Sequence, residues 1–296
     1  MKIKVNPGRK AFNLINYIFC ILIGVLCILP VVHVCAISFS SRDTILSGHV
    51  GLLPVDFTTN SYEYIMHDKQ FFVSYGATFK RCAVGILVNL VMIVLAAYPM
   101  AKSDIVFPQR KWFVAFFMGA MCFSGGLIPS YLVVKNTGLM DTIWALVLPN
   151  ALPISNMILL MNFIRALPES LSEAAYIDGA GHVTTLFRII LPLCLPSLAT
   201  ISLFVLLDHW NAWFDGQIYI RNANLKPLQT YLKSIVIDET KLNLSSSSML
   251  DDLLEKQTQD GFTTAMIFLA MVPVLCVYPF LQKYFAKGIV RGSVKE

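Results

Sequence analysis

Six long apolar stretches separated by polar segments set the pattern of this chain: residues 12–37, 83–101, 113–134, 142–164, 189–207 and 262–281. About 20 apolar residues in helical form cross the ~30 Å hydrocarbon core of a bilayer. The pattern therefore predicts an all-α, polytopic membrane protein with six transmembrane helices, forming a single transmembrane domain over residues 1–296. The first stretch follows Lys2, Lys4, Arg9 and Lys10, and Val34-Cys35-Ala36 resembles a cleavage site. A secretory core is only about 7–15 residues long, so this stretch reads as an uncleaved anchor.

Composition agrees with the pattern. Hydrophobic residues make up 56% of the chain and charged residues 14%, against about 25% charged in an ordinary soluble domain. The mean hydropathy is +0.65. These values exclude soluble domains, disorder, a coiled coil and a disulfide scaffold. No basic face or stripe suggests nucleic acid. The seven cysteines are scattered through or beside apolar stretches without a CxxC pair, so they read as inert thiols rather than metal ligands, and no metal site is expected.

The net charge of +5 matters through its placement. With the N-terminus in the cytoplasm, thirteen basic residues face five acids on the inner side, and ten basic residues face thirteen acids outside. Basic residues concentrate on the cytoplasmic side of membrane proteins, so both termini are expected there. Two long outer segments follow, 38–80 and 208–261. The second carries the run Ser245-Ser246-Ser247-Ser248 and then Asp251, Asp252, Glu255 and Asp260.

Pro30, Pro129, Pro149, Pro153, Pro196, Pro273, Pro279 and Gly125-Gly126 interrupt the stretches. In lipid, a freed backbone group must be satisfied by protein or by water in a cavity. Two readings stand side by side: kinked helices around a wet pathway, or ordinary membrane-helix kinks. His33 is the clear ionisable group inside the six stretches. Ion-coupled carriers and voltage sensors need such groups within the membrane, so ion coupling is disfavoured. GxxxxGK[ST], HExxH and GxSxG are all missing, which leaves neither a nucleotide site nor a visible protease or esterase centre. The work must come from a partner.

The connection over residues 165–188 is long for an inner loop. A short helix is expected over 169–177, with Leu171, Ala174, Ala175 and Ile177 as apolar positions and Ser170 or Glu169 near its cap. Asp178-Gly179 breaks it, because glycine permits the left-handed conformation of a sharp turn. A second helix begins near His182 and runs into the fifth stretch past Pro192 and Pro196.

Glu173-Ala174-Ala175, three residues, Gly179, nine residues, then Ile189-x-Leu191-Pro192 matches every fixed position of a known signature. The segment resembles the EAA loop of ABC importer permeases. Asp178-Gly179-Ala180 and the six-stretch layout resemble the carbohydrate-uptake class, like the second permease of maltose-type importers. Phe123-Ser124-Gly125-Gly126-Leu127-Ile128-Pro129 and His209-Trp210-Asn211-Ala212-Trp213-Phe214 are similar to the lipoprotein-dependent oligosaccharide subgroup of Gram-positive bacteria.

The resemblance implies the fold of a type I ABC importer permease in a bacterial plasma membrane, with a cytoplasmic coupling helix. It implies a second, non-identical permease, two ATPase subunits, an extracellular sugar-binding lipoprotein and an oligosaccharide as cargo. ATP and magnesium would sit on the ATPase, with no cofactor on this chain. The alternative is the same architecture importing a peptide, an amino acid or a polyamine. Coupling falls to Glu173, Ala174, Ala175, Asp178 and Gly179. A stiff short helix can dock and move as a unit, its alanines allowing close approach and its glutamate pairing with a basic group.

Candidates for the sugar path are Asp208, Trp210, Asn211 and Trp213 at the outer end of the fifth stretch, with Ser124 and Asn156 elsewhere. Indole rings stack on sugar C–H faces, and Asn or Asp pair with hydroxyl groups. The competing reading is an interfacial aromatic belt. On a continuing helix Trp210 and Trp213 would share one face.

Overall fold

The computed structural model describes residues 7–245, 261–277 and 279. The run from Ser246 onward, the acids Asp251, Asp252, Glu255 and Asp260, and the end of the sixth stretch lie outside the described residues. Every regular element among the described residues is helical. The described residues divide into two compact units, 7–69 with 234–245 and 261–272, and 70–233 with 273–277 and 279.

The first unit contains α1 (Pro7–Ser38), α2 (Arg42–Leu46) and α3 (Asn60–His67). α1 leaves Phe12, Tyr17, Leu22 and Ile28 exposed, as suits a helix whose surroundings are lipid. Beyond its end the Phe39 ring stacks on Tyr62 at 4.7 Å and on Phe57 at 5.5 Å. Ser38 Oγ and the Tyr62 hydroxyl lie 2.7 Å apart, and burial pushes the Tyr62 phenol up from its ordinary value. His33 Nδ1 lies 2.7 Å from the Gly51 carbonyl, so the one ionisable group noted in the first stretch has a local backbone partner.

The second unit is built on α4 (Lys69–Ala101), which starts well before the apolar stretch that announced it. Then follow α5 (Arg110–Cys122), α6 (Leu127–Asn136), α7 (Ile143–Val147), α8 (Ile154–Arg165), α9 (Ser170–Ile177), α10 (His182–Thr185), α11 (Leu191–Leu193), α12 (Leu195–Asn211) and α13 (Phe214–Tyr219). α14 (Leu228–Ser245) and α15 (Gly261–Val277) complete the described helices, and their residues within 234–272 belong to the first unit.

Gly8–Ser38 and Lys69–Ala101 are long and apolar enough to cross a membrane unbroken. Three further crossings are candidates as bent pairs: α5 with α6 at 114°, Ile143–Asn150 with α8 at 53°, and His182–Leu193 with α12 at 81°. The breaks have local causes. Gly126 has φ +82° at the first bend, a conformation that a side chain disfavours. Pro149 and Pro153 flank the second, and Pro192 and Pro196 flank the third, each removing a backbone donor from the helix ladder.

α4 explains the packing. Ser74, Thr78, Arg81, Gly85, Asn89, Ile93, Ala97 and Met100 are all buried and recur every three or four residues, so they form one stripe along the helix. The apolar end of the stripe, Ile93 and Ala97, packs with Leu160 of α8 and with Ile201 and Val205 of α12. In lipid, such a core is held mainly by close van der Waals packing rather than by escape from water.

Candidate functional site

The loop between α8 and α12 forms the first candidate site. Glu169 stands at the N-cap position of α9 without a side-chain capping bond, the helix ends at Ile177, and Gly179 turns with φ +81° before α10 begins at His182. The Gly179 N–H donates to the Tyr176 carbonyl at 3.0 Å and the Ala180 N–H to the Ala175 carbonyl at 2.8 Å. These bonds satisfy carbonyls that a helix end leaves open. Of the two signature alanines, Ala175 is buried and Ala174 exposed, and Glu173, Asp178 and Gly179 are exposed. Ile177 and Val183 are 86% and 71% exposed. A short stiff helix thus carries an uncovered mixed face of Glu173, Ala174, Ile177 and Asp178. Past α10 the chain widens into a π-helical turn over Leu186–Ile190, a device common at functional sites.

The loop is tied to the end of α4. Lys102 donates to Ser172 Oγ at 3.3 Å. Its ammonium stands 4.8 Å from the Tyr98 ring centroid and 5.5 Å from that of Tyr176. The Tyr176 hydroxyl lies 3.0 Å from His182 Nδ1, linking α9 to α10 across the glycine turn. A cavity of about 450 Å³ opens beside it, with Lys102, Arg110, Arg165, Glu169 and Glu173 among its walls. Arg110 and Arg165 both donate to the Met100 carbonyl at 2.9 Å, so the last turn of α4 is anchored from two sides. The Arg110 guanidinium, 2.9 Å from Asp104, holds that carboxyl below its ordinary range, with Lys111 adding to the effect.

The opposite end of α12 forms the second candidate site. Arg81, 2% exposed, pairs with Asp215 of α13 and donates to the carbonyls of Ala212 at 3.3 Å and Leu146 at 3.5 Å. Its Nε donates to His209 Nδ1 at 3.4 Å, and His209 Nε2 lies 3.4 Å from Asn89 Oδ1. Together these contacts assign a neutral imidazole with its proton on Nε2. Gly85 makes the fit: a Cβ there would lie 2.3 Å from His209 Nε2.

Trp210 is 3% exposed and meets Tyr75 and Phe79 edge-on at 5.9 and 5.4 Å. Asn211 and Asp208 are exposed. α12 ends at Asn211, and Ala212 is extended with φ −70° and ψ 124°. The expectation that Trp213 shares a helical face with Trp210 is therefore corrected: the extended residue breaks the helical register between them. Trp213 is 38% exposed. Ser124 lies at the bend between α5 and α6, its Oγ accepting from the Gly126 N–H at 3.3 Å, and Asn156 is buried in the first turn of α8.

Sequence reasoning gave no site role to Arg81 or Lys102, and it noted His209 and Asp215 beside the fifth stretch without counting either among the candidates. Arg81 had a signal, because it falls in step with the buried stripe of α4. It lay outside the apolar stretch, and a cation in step with a buried face announces a partner elsewhere.

Comparison with known proteins adds identity to this geometry. The chain is 37% identical over 292 residues to the polygalacturonan/rhamnogalacturonan transport system permease protein YtcP of Bacillus subtilis, covering 97% of this chain and 99% of that one. It is 37% identical over 286 residues to protein LplC of the same organism, covering 97% and 95%. A crystal structure of a bacterial ABC transporter involved in the import of the acidic polysaccharide alginate contains a similar chain, with a TM-score of 0.83, 30% identity, and coverage of 95% and 99%. The family model for the binding-protein-dependent transport system inner membrane component matches residues 74–291. This chain belongs to that family: it is a permease component of an ABC importer.

Proposed function

We propose that this chain forms, with a second and non-identical permease, the path by which an oligosaccharide crosses a bacterial plasma membrane. An extracellular binding lipoprotein delivers the sugar, and two ATPase subunits holding ATP and Mg²⁺ supply the motion. The observation that carries the reading is the α9–Gly179–α10 turn, a short helix with an uncovered face pinned through Lys102 to the end of a membrane-length helix. Such a helix transmits a push only if its partner grips it, and Glu173 offers the charge for a basic group in the partner's cleft. Both termini lie in the cytoplasm, consistent with the excess of basic residues on that side.

Relatives support a saccharide cargo and do not favour a peptide, amino acid or polyamine. Polygalacturonan and alginate are both polymers of uronic acids, so the cargo we infer is an acidic oligosaccharide. The test is ATP hydrolysis stimulated by the sugar-loaded binding protein in proteoliposomes of the complete complex. Glu173→Lys and Gly179→Pro abolish the stimulation while the chain still inserts. Normal stimulation in both variants would overturn the role of the loop, and sugar transport by a homodimer of this chain would overturn the paired permease.

A further inference from the structure

Trp213 is held in place by its backbone. Its carbonyl accepts from Thr230 Oγ1 at 2.8 Å, bringing the first turn of α14 against the segment that follows α12. Gly216 permits this approach: a Cβ there would lie 2.2 Å from Thr230 Oγ1 and 3.0 Å from Pro227 Cδ. Phe214 meets the indole edge-on at 5.5 Å. Three residues beyond Thr230, Lys233 places its Nζ 5.4 Å from the Trp213 ring centroid.

Among the described residues, no carboxylate forms an ion pair with the ammonium over this indole. Ion pairs among the described residues include Arg81 with Asp215, Arg110 with Asp104 and Lys111 with Asp104. Lys233 is exposed, and the indole it overlies is more than a third exposed. A partly exposed indole with an ammonium 5.4 Å from its ring centroid matches two features of a uronate residue: an apolar C–H face on the pyranose and a full negative charge at C6. A neutral hexose presents a hydroxymethyl group there and gains far less from an ammonium.

We propose that Trp213 and Lys233 form a subsite for a uronate unit of the transported oligosaccharide, the indole stacking on the pyranose and the ammonium pairing with the C6 carboxylate. The subsite rests on the saccharide-import reading above. It also answers an electrostatic difficulty: the outer segments hold more acids than bases, which repels a polyanion unless cations are fixed along its route. Asp215 is already paired with Arg81, so it does not compete for Lys233.

The experiment is uptake by the complete transporter in proteoliposomes with its saturated binding protein, scored per assembled complex. The probes are oligogalacturonates, rhamnogalacturonan fragments, alginate oligomers and neutral oligosaccharides of equal length. Lys233→Met keeps the aliphatic stem against the indole and removes only the charge, so uronate uptake falls roughly ten-fold. Lys233→Arg retains most of it, Trp213→Phe retains part, and Trp213→Ala loses it.

Uronate uptake by Lys233→Met equal to the parent's overturns the subsite. So does a pattern in which Lys233→Met and Trp213→Ala reduce only the yield of assembled complex, which marks the pair as an interfacial anchor. A parent that imports only neutral oligosaccharides overturns the subsite and leaves saccharide import standing. A parent that imports no oligosaccharide overturns the import reading itself.

Discussion

Arg81 and Asp215 lie 134 residues apart in the chain and form an ion pair, with two guanidinium nitrogens facing the two carboxylate oxygens. Their environments are unequal: the arginine side chain is 3% exposed and the aspartate 27%. Removing one member of a buried pair costs more when the charge left behind cannot reach water. Asp215→Asn is therefore expected to destabilise more than Arg81→Met, by about 3 kcal/mol against about 1.5 kcal/mol. Thermal unfolding of the detergent-solubilised complex measures both. The double variant should lose less than the sum, because the stranded charge is gone.

Gly85→Ala tests the same region by shape. The new methyl group would collide with the His209 ring at 2.3 Å, and the imidazole would have to leave both Arg81 and Asn89. A loss of about 1–3 kcal/mol is expected from overpacking. Combining it with His209→Ala should recover part of the loss, and full additivity in the same unfolding assay would refute steric conflict as the cause.

Lys102 joins the end of α4 to α9 through two tyrosine rings and Ser172. Such cation–π contacts contribute about 0.5–2 kcal/mol each. Lys102→Met is expected to lower the sugar imported per ATP hydrolysed, whereas Lys102→Arg keeps most of the coupling. An unchanged ratio in the methionine variant would remove Lys102 from the transmission path.

Gly179 has φ +81° and open space around it. Substitution there meets backbone strain and no collision. Gly179→Ala should cost about 1–2 kcal/mol and Gly179→Asn less, since asparagine tolerates the left-handed region. Stimulated ATP hydrolysis should follow the order Gly, Asn, Ala, and a proline variant should fall below all three. Equal activity of the alanine and glycine forms would show that the turn relaxes freely.

Asp141 also has a positive φ, of 57°. Its carboxylate accepts from the backbone N–H groups of Arg221 and, at 2.9 Å, Asn222. These bonds, the Arg221 one foremost, lower its pKa below the ordinary value. Its contribution to holding this loop is present above the unfolded value of about 4 and is lost as pH falls through the lowered folded value. Hydrogen-exchange protection of the Arg221 and Asn222 amides, corrected for intrinsic rates, should drop over that acidic window. In Asp141→Asn the drop should vanish, and a drop of the same size would assign it to another group.

The α9 turn was legible because it is local. A helix of eight residues, a glycine able to take positive φ, and a restart at His182 depend on neighbours in the chain. The same holds for the breaks at Gly126, Pro153 and Pro196, which remove a donor or admit a conformation whatever the surroundings.

By itself the sequence determined the membrane class, the helical architecture and the loop that marks the family, since hydropathy and backbone chemistry act over short range. Tertiary structure alone decided which polar residues meet. It paired Arg81 with Asp215, set His209 against Gly85, buried Trp210 and left Trp213 open beside Lys233. The reason is physical: a charge's partner and an indole's exposure depend on which helices pack together, and that packing brings residues to contact distance across more than a hundred positions of chain.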